Sequence, residues 1–425
     1  TEVKKVYQPA KFEWDYSKKE VTVINKNFFA PLDNVNLKWT ILENGIKTKE
    51  GKDLQIKILA QKKQKYTIEL PSISKTKETI LTVQLITKKE NGLIPENHEI
   101  AFDQFILTEY QSPANEISTN KKLSISKVKE AFIINGENTK LSIDNKTGEI
   151  TDWTYNGELV TNQPIKPNFW RAPTDNDLGN GMHKWADIWK NATDNYIATL
   201  VKEPIKTNDG VAFYLNYQLP NNIANLTVEY IIQQNGELLI DYIFKPLNDS
   251  LPNIPRVGIY LILPATYNQT EWYGRGPQET YWDRKTGGKI GIYNGLIKEQ
   301  FHRYSRPQET GNKTDIRWMS VESSNINLIV NSTDNQFLNG SVWPFNISEL
   351  DFVIGKDGGE SASGLVPVTS KHGANIEIGK QVQWNIDHLQ MGVGGDTSWG
   401  RFVHDEYSIP PKEYHFSFVI KPSSK

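Results

Sequence analysis

Apolar residues in this chain recur at every second position over short stretches, and polar turn residues cut each stretch off before it can grow. Asn36-Leu37-Lys38-Trp39-Thr40-Ile41-Leu42 alternates apolar and polar side chains, and Tyr66-Thr67-Ile68-Glu69-Leu70 and Leu81-Thr82-Val83-Gln84-Leu85-Ile86 repeat the pattern. Period two puts successive side chains on opposite faces of a strand, so each run has one face to bury. Val21-Thr22-Val23-Ile24 is a further run, closed by Asn25-Lys26-Asn27, after which Phe28-Phe29 are expected to begin the next segment. Short strands at this spacing, with no long helix between them, predict an antiparallel β-sandwich of immunoglobulin-like type over residues 1–110. The chain has no Cys, so no inter-sheet disulfide can staple such a sandwich, and packing around Trp39 must serve instead.

Residues 111–122 are rich in Gln, Ser, Pro, Asn, Thr and Lys and read as a linker. Strand patterns resume at Leu123-Ser124-Ile125-Ser126 and Ala131-Phe132-Ile133-Ile134, followed by a hairpin over 141–150 with Gly148 in its turn. A second hairpin is expected around Asn235-Gly236, and Ile259 to Leu263 and Asn327 to Val330 add further strands. Residues 123–425 therefore predict a large two-sheet antiparallel sandwich, making the chain all-β. The helix candidate is Met182 to Lys190, where Trp185, Ile188 and Trp189 share a face.

Charge narrows the function classes. Net charge is −2, with basic and acidic residues interleaved, so no basic stripe points to nucleic acid and no charged block to a membrane surface. No apolar run approaches the ~18 residues of a bilayer span. The absence of Cys removes thiolate metal sites and a cysteine nucleophile, but leaves cytoplasm and periplasm both open. A first residue of Thr1 rather than Met reads as a chain cut from something longer.

Four segments carry chemistry. Phe169-Trp170-Arg171-Ala172-Pro173-Thr174-Asp175-Asn176-Asp177-Leu178-Gly179-Asn180-Gly181 holds two aspartates two apart, which would suit a hard cation. An Asx-rich turn, with the carboxylates capping N–H groups and pairing with Arg171, outweighs that reading. Gly179 and Gly181 make the loop a candidate for movement. The segment from Glu271 to Arg284 and the segment Arg306-Pro307-Gln308-Glu309-Thr310-Gly311-Asn312 share a Pro-Gln-Glu-Thr theme. Glu279 and Glu309 could pair for acid–base work; Arg–carboxylate bridges that hold loops fit them better, because each has an Arg nearby. His302, His372, His388, His404 and His415 show no metal-ligand spacing. Last comes Met391-Gly392-Val393-Gly394-Gly395-Asp396-Thr397-Ser398-Trp399-Gly400, with four glycines in ten residues and one indole. A flat apolar ring on such a loop suits stacking on the C–H face of a sugar, with polar neighbours such as Asp396 fixing orientation; core packing is the competing role for Trp399.

In this order the four segments resemble the C-terminal part of the large bacterial β-galactosidases of glycoside hydrolase family 2. The resemblance covers nearly the whole chain. It makes residues 1–110 similar to the immunoglobulin-like domain that follows the catalytic barrel, and residues 123–425 similar to the last domain, an antiparallel super-sandwich of the galactose mutarotase (aldose epimerase) kind. It implies a retaining hydrolysis of β-galactosides by two glutamates on a (β/α)₈ barrel. No alternating β/α pattern exists here, so the catalytic residues, the barrel and the N-terminal domains are expected to lie outside this chain. The family's magnesium and sodium ligands are expected there as well, leaving no cofactor or metal site in this chain, and the full enzyme is expected to be a homo-oligomer.

What the resemblance does carry over is a substrate-binding role for Trp399 at the active-site mouth, with Asn176, Asp177, Gly179 and Asp396 as rim residues. Thr280 and Trp282 stand where the family more often shows Asn and Pro, which leaves the role of that turn open. Two other functions stay in view: an independent carbohydrate-binding module, and an aldose 1-epimerase using His372 with Glu309 as its acid–base pair.

Overall fold

A computed structural model describes residues 2–113, 122–351, 371–397 and 400–425. The described chain is built almost wholly of antiparallel strands, with helices of at most eight residues. Its contacts divide it into two units: residues 1–111 with 285–292, and residues 112–284 with 293–425. A contiguous reading of the sequence has no means of assigning 285–292 to the first unit. Most of the linker stretch, residues 114–121, lies outside the described residues.

In the first unit a three-stranded sheet of Ala10–Asp15, Glu20–Asn25 and Lys63–Thr67 shares one core with a sheet centred on Val35–Glu43 and Thr79–Thr87. The alternation in Val35–Glu43 aims Leu37, Trp39 and Ile41 inward, opposite Leu85, Val83 and Leu81. Trp39 is buried, and a Cβ on Gly51 would lie 2.0 Å from its indole, so only glycine admits the ring there. Phe28 and Phe29 do not begin a strand. They stand on a bend at 76% and 96% exposure, because Asn25 spends its side-chain amide on the carbonyls of Ala30 and Ile58 and closes the turn beneath them. Gln104 exchanges two hydrogen bonds with Ile290, at 2.7 and 3.0 Å, which ties in the 285–292 segment.

The second unit contains three antiparallel sheets. The largest runs from Ile197–Lys206 through Leu238–Pro246 and Tyr414–Ser424 to Gln269–Gly276. A five-stranded sheet is ordered Lys166–Asn168, Arg256–Pro264, Gln381–Gln390, Leu338–Trp343, Lys313–Ile316. The third sheet is a meander from Ser124–Val128 to Glu158–Thr161, and it includes the expected hairpin with Gly148 at φ +77°. One hydrophobic core joins side chains of all three.

The five-stranded sheet is buried on both faces, and the two faces differ. Along Gln381–Gln390, Val382, Trp384 and Ile386 enter the core while Gln383, Asn385 and Asp387 point the other way, and all six are buried. Gly258 on the neighbouring strand makes room for this polar face: a Cβ there would lie 2.2 Å from Asp387 Oδ1.

The expected helix over Met182 to Lys190 is two helices, Met182–Trp185 and Asp187–Asp194, broken at Ala186 (φ −105°, ψ 5°). The break separates the tryptophans that were to share a face. Trp189 is fully buried between Phe169 and Phe244, with Nε1 donating to the Pro252 carbonyl at 3.1 Å; Trp185 is half-buried against Phe402. A third short helix, Asp175–Gly179, stands where the sequence suggested only a turn.

Candidate functional site

The four sequence segments meet in the second unit, and their charged side chains are what join them. Thr174 caps the Asp175–Gly179 helix in a reciprocal box: its hydroxyl accepts from Asp177 N at 3.3 Å, and the Asp177 carboxylate accepts from Thr174 N at 2.8 Å. The same carboxylate receives Arg171 Nη1 at 2.5 Å and Nη2 at 3.1 Å, in a pair with both members buried. Such bidentate charge-assisted bonds fix orientation as well as position. Arg171 Nη2 then donates to the carbonyl of Gly392 at 2.9 Å and so fastens the first segment to the last.

Two more side chains hold the glycine-rich loop. Asp283 accepts from Val393 N at 3.1 Å and Gly394 N at 2.7 Å. Asn176 donates to the carbonyls of Gly394 and Arg401, each at 2.9 Å, and accepts from Gly400 N at 3.1 Å. The glycines are there for space. A Cβ on Gly392 would lie 2.7 Å from the Asp283 carboxyl, and one on Gly400 (φ +91°) would lie 2.2 Å from the backbone of Gly179.

The two Pro-Gln-Glu-Thr segments lock together by their glutamates. Glu279 accepts from Tyr304 Oη (2.5 Å), Thr310 Oγ1 (2.9 Å), Gly311 N (2.7 Å) and Arg284 Nη2 (2.9 Å), and these donors hold its carboxyl below the ordinary range despite burial. Glu309 is closed inside, 3.3 Å from Arg256 Nη2, and burial raises its carboxyl. Asp387 lies on the other side of that guanidinium at 3.4 Å, and desolvation pushes it up to about 7. Asp175 completes the circuit from the first segment to the third, accepting from Arg306 Nε at 2.7 Å and Gln308 Nε2 at 2.9 Å. Glu279 and Glu309 are thus taken up in the bridges that hold these loops.

Asp177 is a buried ion-pair partner, Asn176 a loop clamp, and Gly179 the exposed end of a helix against Gly400. Asp396 is exposed and bonded to His404 Nε2 at 2.7 Å. Trp399 and Ser398 lie outside the described residues. His372 is exposed and caps Gly373–Asn375 with Nδ1, while Glu309 is buried against Arg256, and no hydrogen bond joins the two. Thr280 N donates to the Asn312 carbonyl at 2.8 Å, its own carbonyl accepts from Asn312 Nδ2 at 2.9 Å, its hydroxyl meets Thr314 Oγ1 at 2.9 Å, and Trp282 stands edge-on to Tyr407. Those two departures from the family pattern are therefore built into the junction.

Asp283 is the residue that the sequence reading did not single out. A lone acid at the end of an aromatic-rich segment carries no local sign of its partner, which is 110 residues away. Beside it lies a cavity of about 290 Å³ bounded by Asp283, Arg284, the 393–396 backbone, His404 and Tyr407. Among the described residues there is no cluster of three or more His, Cys, Asp or Glu that could hold a metal ion, and no helix long and apolar enough to cross a membrane.

Residues 135–420 match the family model described as the β-galactosidase small chain, and residues 21–108 match that of β-galactosidase domain 4. A β-galactosidase from Priestia megaterium is 29% identical over 429 residues, covering 99% of this chain and 39% of that protein. One from Vibrio cholerae is 27% identical over 442 residues, covering 100% of this chain and 40% of its own length. The chain thus spans about two-fifths of the curated relatives it matches. Among solved structures, a galactose 1-epimerase from Lactobacillus acidophilus NCFM is similar over 72% of this chain and 99% of its own, at 11% identity and a TM-score of 0.37, a likeness too distant to carry an argument. With a match running through most of the second unit and a second one in the first, the chain belongs to the β-galactosidase small-chain family.

Proposed function

We propose that this chain is the non-catalytic C-terminal portion of a retaining β-galactosidase acting on terminal β-galactosides. In this reading it shapes the rim of an active site whose two glutamates, metal ions and barrel belong to the rest of the enzyme. The observation that carries the reading is the interlock of the four segments. Glu279 and Glu309 bind the second and third segments to each other and to Arg256, while Asp177, through Arg171, and Asp283 hold the glycine-rich stretch that leads to Trp399. A backbone fixed by Asp283 before the indole and by Asn176 after it would keep a stacking ring in register without the entropy cost of ordering a loose loop. Relatives named β-galactosidase that match the chain end to end support the substrate class.

Two measurements test this. The purified chain should not hydrolyse a nitrophenyl β-galactoside, and turnover would sink the non-catalytic assignment. Trp399→Ala in the full-length enzyme should raise KM for galactosides about tenfold or more, the scale of one lost aromatic contact; an unchanged KM would remove the stacking role.

A further inference from the structure

We propose that the cavity between Asp283-Arg284 and the 393–396 backbone is a subsite for one neutral hexose unit, held through its hydroxyls by Arg284, Asp396 and His404 and on one face by Tyr407. The proposal deepens the reading above and rests on it for the class of ligand. At about 290 Å³ the cavity lies at the lower end of ligand pockets, which suits a single ring rather than an oligosaccharide.

Its walls argue for a neutral, hydroxyl-rich guest. Asp283 and Asp396 face Arg284 and a His404 whose ring is held towards its protonated form by the Asp396 hydrogen bond, so the charges balance. A phosphate would meet two carboxylates. A metal ion would meet a guanidinium, and a carboxylate of Asp283 already bonded to Val393 N and Gly394 N. Sugar hydroxyls both donate and accept, which is what a wall of interleaved donors and acceptors requires. Tyr407 and Val403 add apolar surface, and Trp282, with its ring centroid 6.3 Å from that of Tyr407, braces the phenol edge-on.

The wall is also preformed. A Cβ on Gly394 would lie 3.0 Å from Asp283 Oδ2, so backbone and carboxylate are already in contact, and Arg284 is fixed by Glu279 at 2.9 Å. His404 is half-exposed, and its ring meets the exposed acids Asp396 and Glu406, which lets it be replaced without disturbing the core.

The test is a titration of the 425-residue chain with galactose and with glucose, followed by saturation-transfer NMR and calorimetry, with inorganic phosphate as a competitor. Saturable binding with a Kd in the millimolar range is expected. His404→Ala should weaken it at least tenfold while lowering the melting temperature by no more than about 3 °C, the scale of one exposed ion pair, and phosphate should not compete. Trp399→Ala separates this proposal from the stacking role. Loss in His404→Ala with none in Trp399→Ala supports the subsite and leaves stacking without support. Loss in Trp399→Ala alone overturns the subsite and leaves stacking standing. Displacement by phosphate, or no saturation by either hexose up to about 100 mM, also overturns it.

Discussion

Replacing Asp177 by Ala should destabilise the second unit more than any exposed substitution at the same junction. Asp177 is 1% exposed, and its carboxylate takes both terminal nitrogens of Arg171, at 2.5 and 3.1 Å, and the amide and hydroxyl of Thr174, each at 2.8 Å. Without it the fully buried Arg171 guanidinium keeps the Gly392 carbonyl at 2.9 Å as its remaining hydrogen-bond partner and loses its direct counter-ion. Breaking a buried pair from one side costs ~3–5 kcal/mol. At about 2–4 °C per kcal/mol for a unit of this order of size, the melting temperature should fall by roughly 6 °C or more. Thermal melts of the parent and variant chains, followed by tryptophan fluorescence, would measure it. The paired replacement Arg171→Met with Asp177→Leu should recover most of the loss, because the desolvation cost goes with both charges. A single variant melting within about 2 °C of the parent, or a double variant as unstable as the single, would refute the reasoning.

Two further outcomes follow from individual side chains. His404 is raised above its ordinary 6.5 by the Asp396 hydrogen bond, and Asp396 is lowered below 3.8 by the same bond. The histidine's contribution is complete below 6.5 and fades as pH rises through its folded value; the aspartate's is complete above 3.8 and fades as pH falls through its folded value. The pair should therefore be fully formed between about pH 4 and 6.5, and an NMR titration of the His404 ring should show its raised value dropping back in Asp396→Asn. Lys313 is 3% exposed, with Trp272 under its ammonium at 4.9 Å, and burial lowers it from 10.5 to about 8. That drop corresponds to ~3 kcal/mol against the charged form, offset in part by the cation–π contact, so Lys313→Met should stabilise the chain by ~1–3 kcal/mol at neutral pH. Parent stability should rise with pH between about 8 and 10.5, where the unfolded chain binds more protons, and a denaturant series across that range would show a flat line if the lysine is not buried as described.

How far the sequence could be read depended on the range of the force involved. Val35–Glu43 and Thr79–Thr87 were legible because period-two burial is written in adjacent residues. The turn glycines Gly148 and Gly236 were legible for the same reason, as each sits at positive φ inside its own hairpin. The Asp175–Gly179 helix was missed because its two acids sit in the first helical turn, where Asp177 caps the Thr174 amide, and the same residues also favour an open turn. The stretch from Met182 to Lys190 was drawn as one helix because periodicity does not register a break at Ala186, which frees Trp189 to enter a core made by Phe169 and Phe244. Phe28-Phe29 looked like the start of a strand because two aromatic residues usually seek burial, yet the turn fixed by Asn25 leaves them in solvent.

By itself the sequence determined an all-β chain of short antiparallel strands, the order of four polar segments, and a family membership that those segments carry together. The tertiary structure decided what the segments do to one another. Arg171, Asn176 and Asp283 reach one loop from positions between 110 and 225 residues away, and Glu279 and Glu309 proved to be fasteners. A hydrogen bond between distant residues leaves no periodic trace in the chain, since its geometry exists only after several strands have packed and taken water away from the charges.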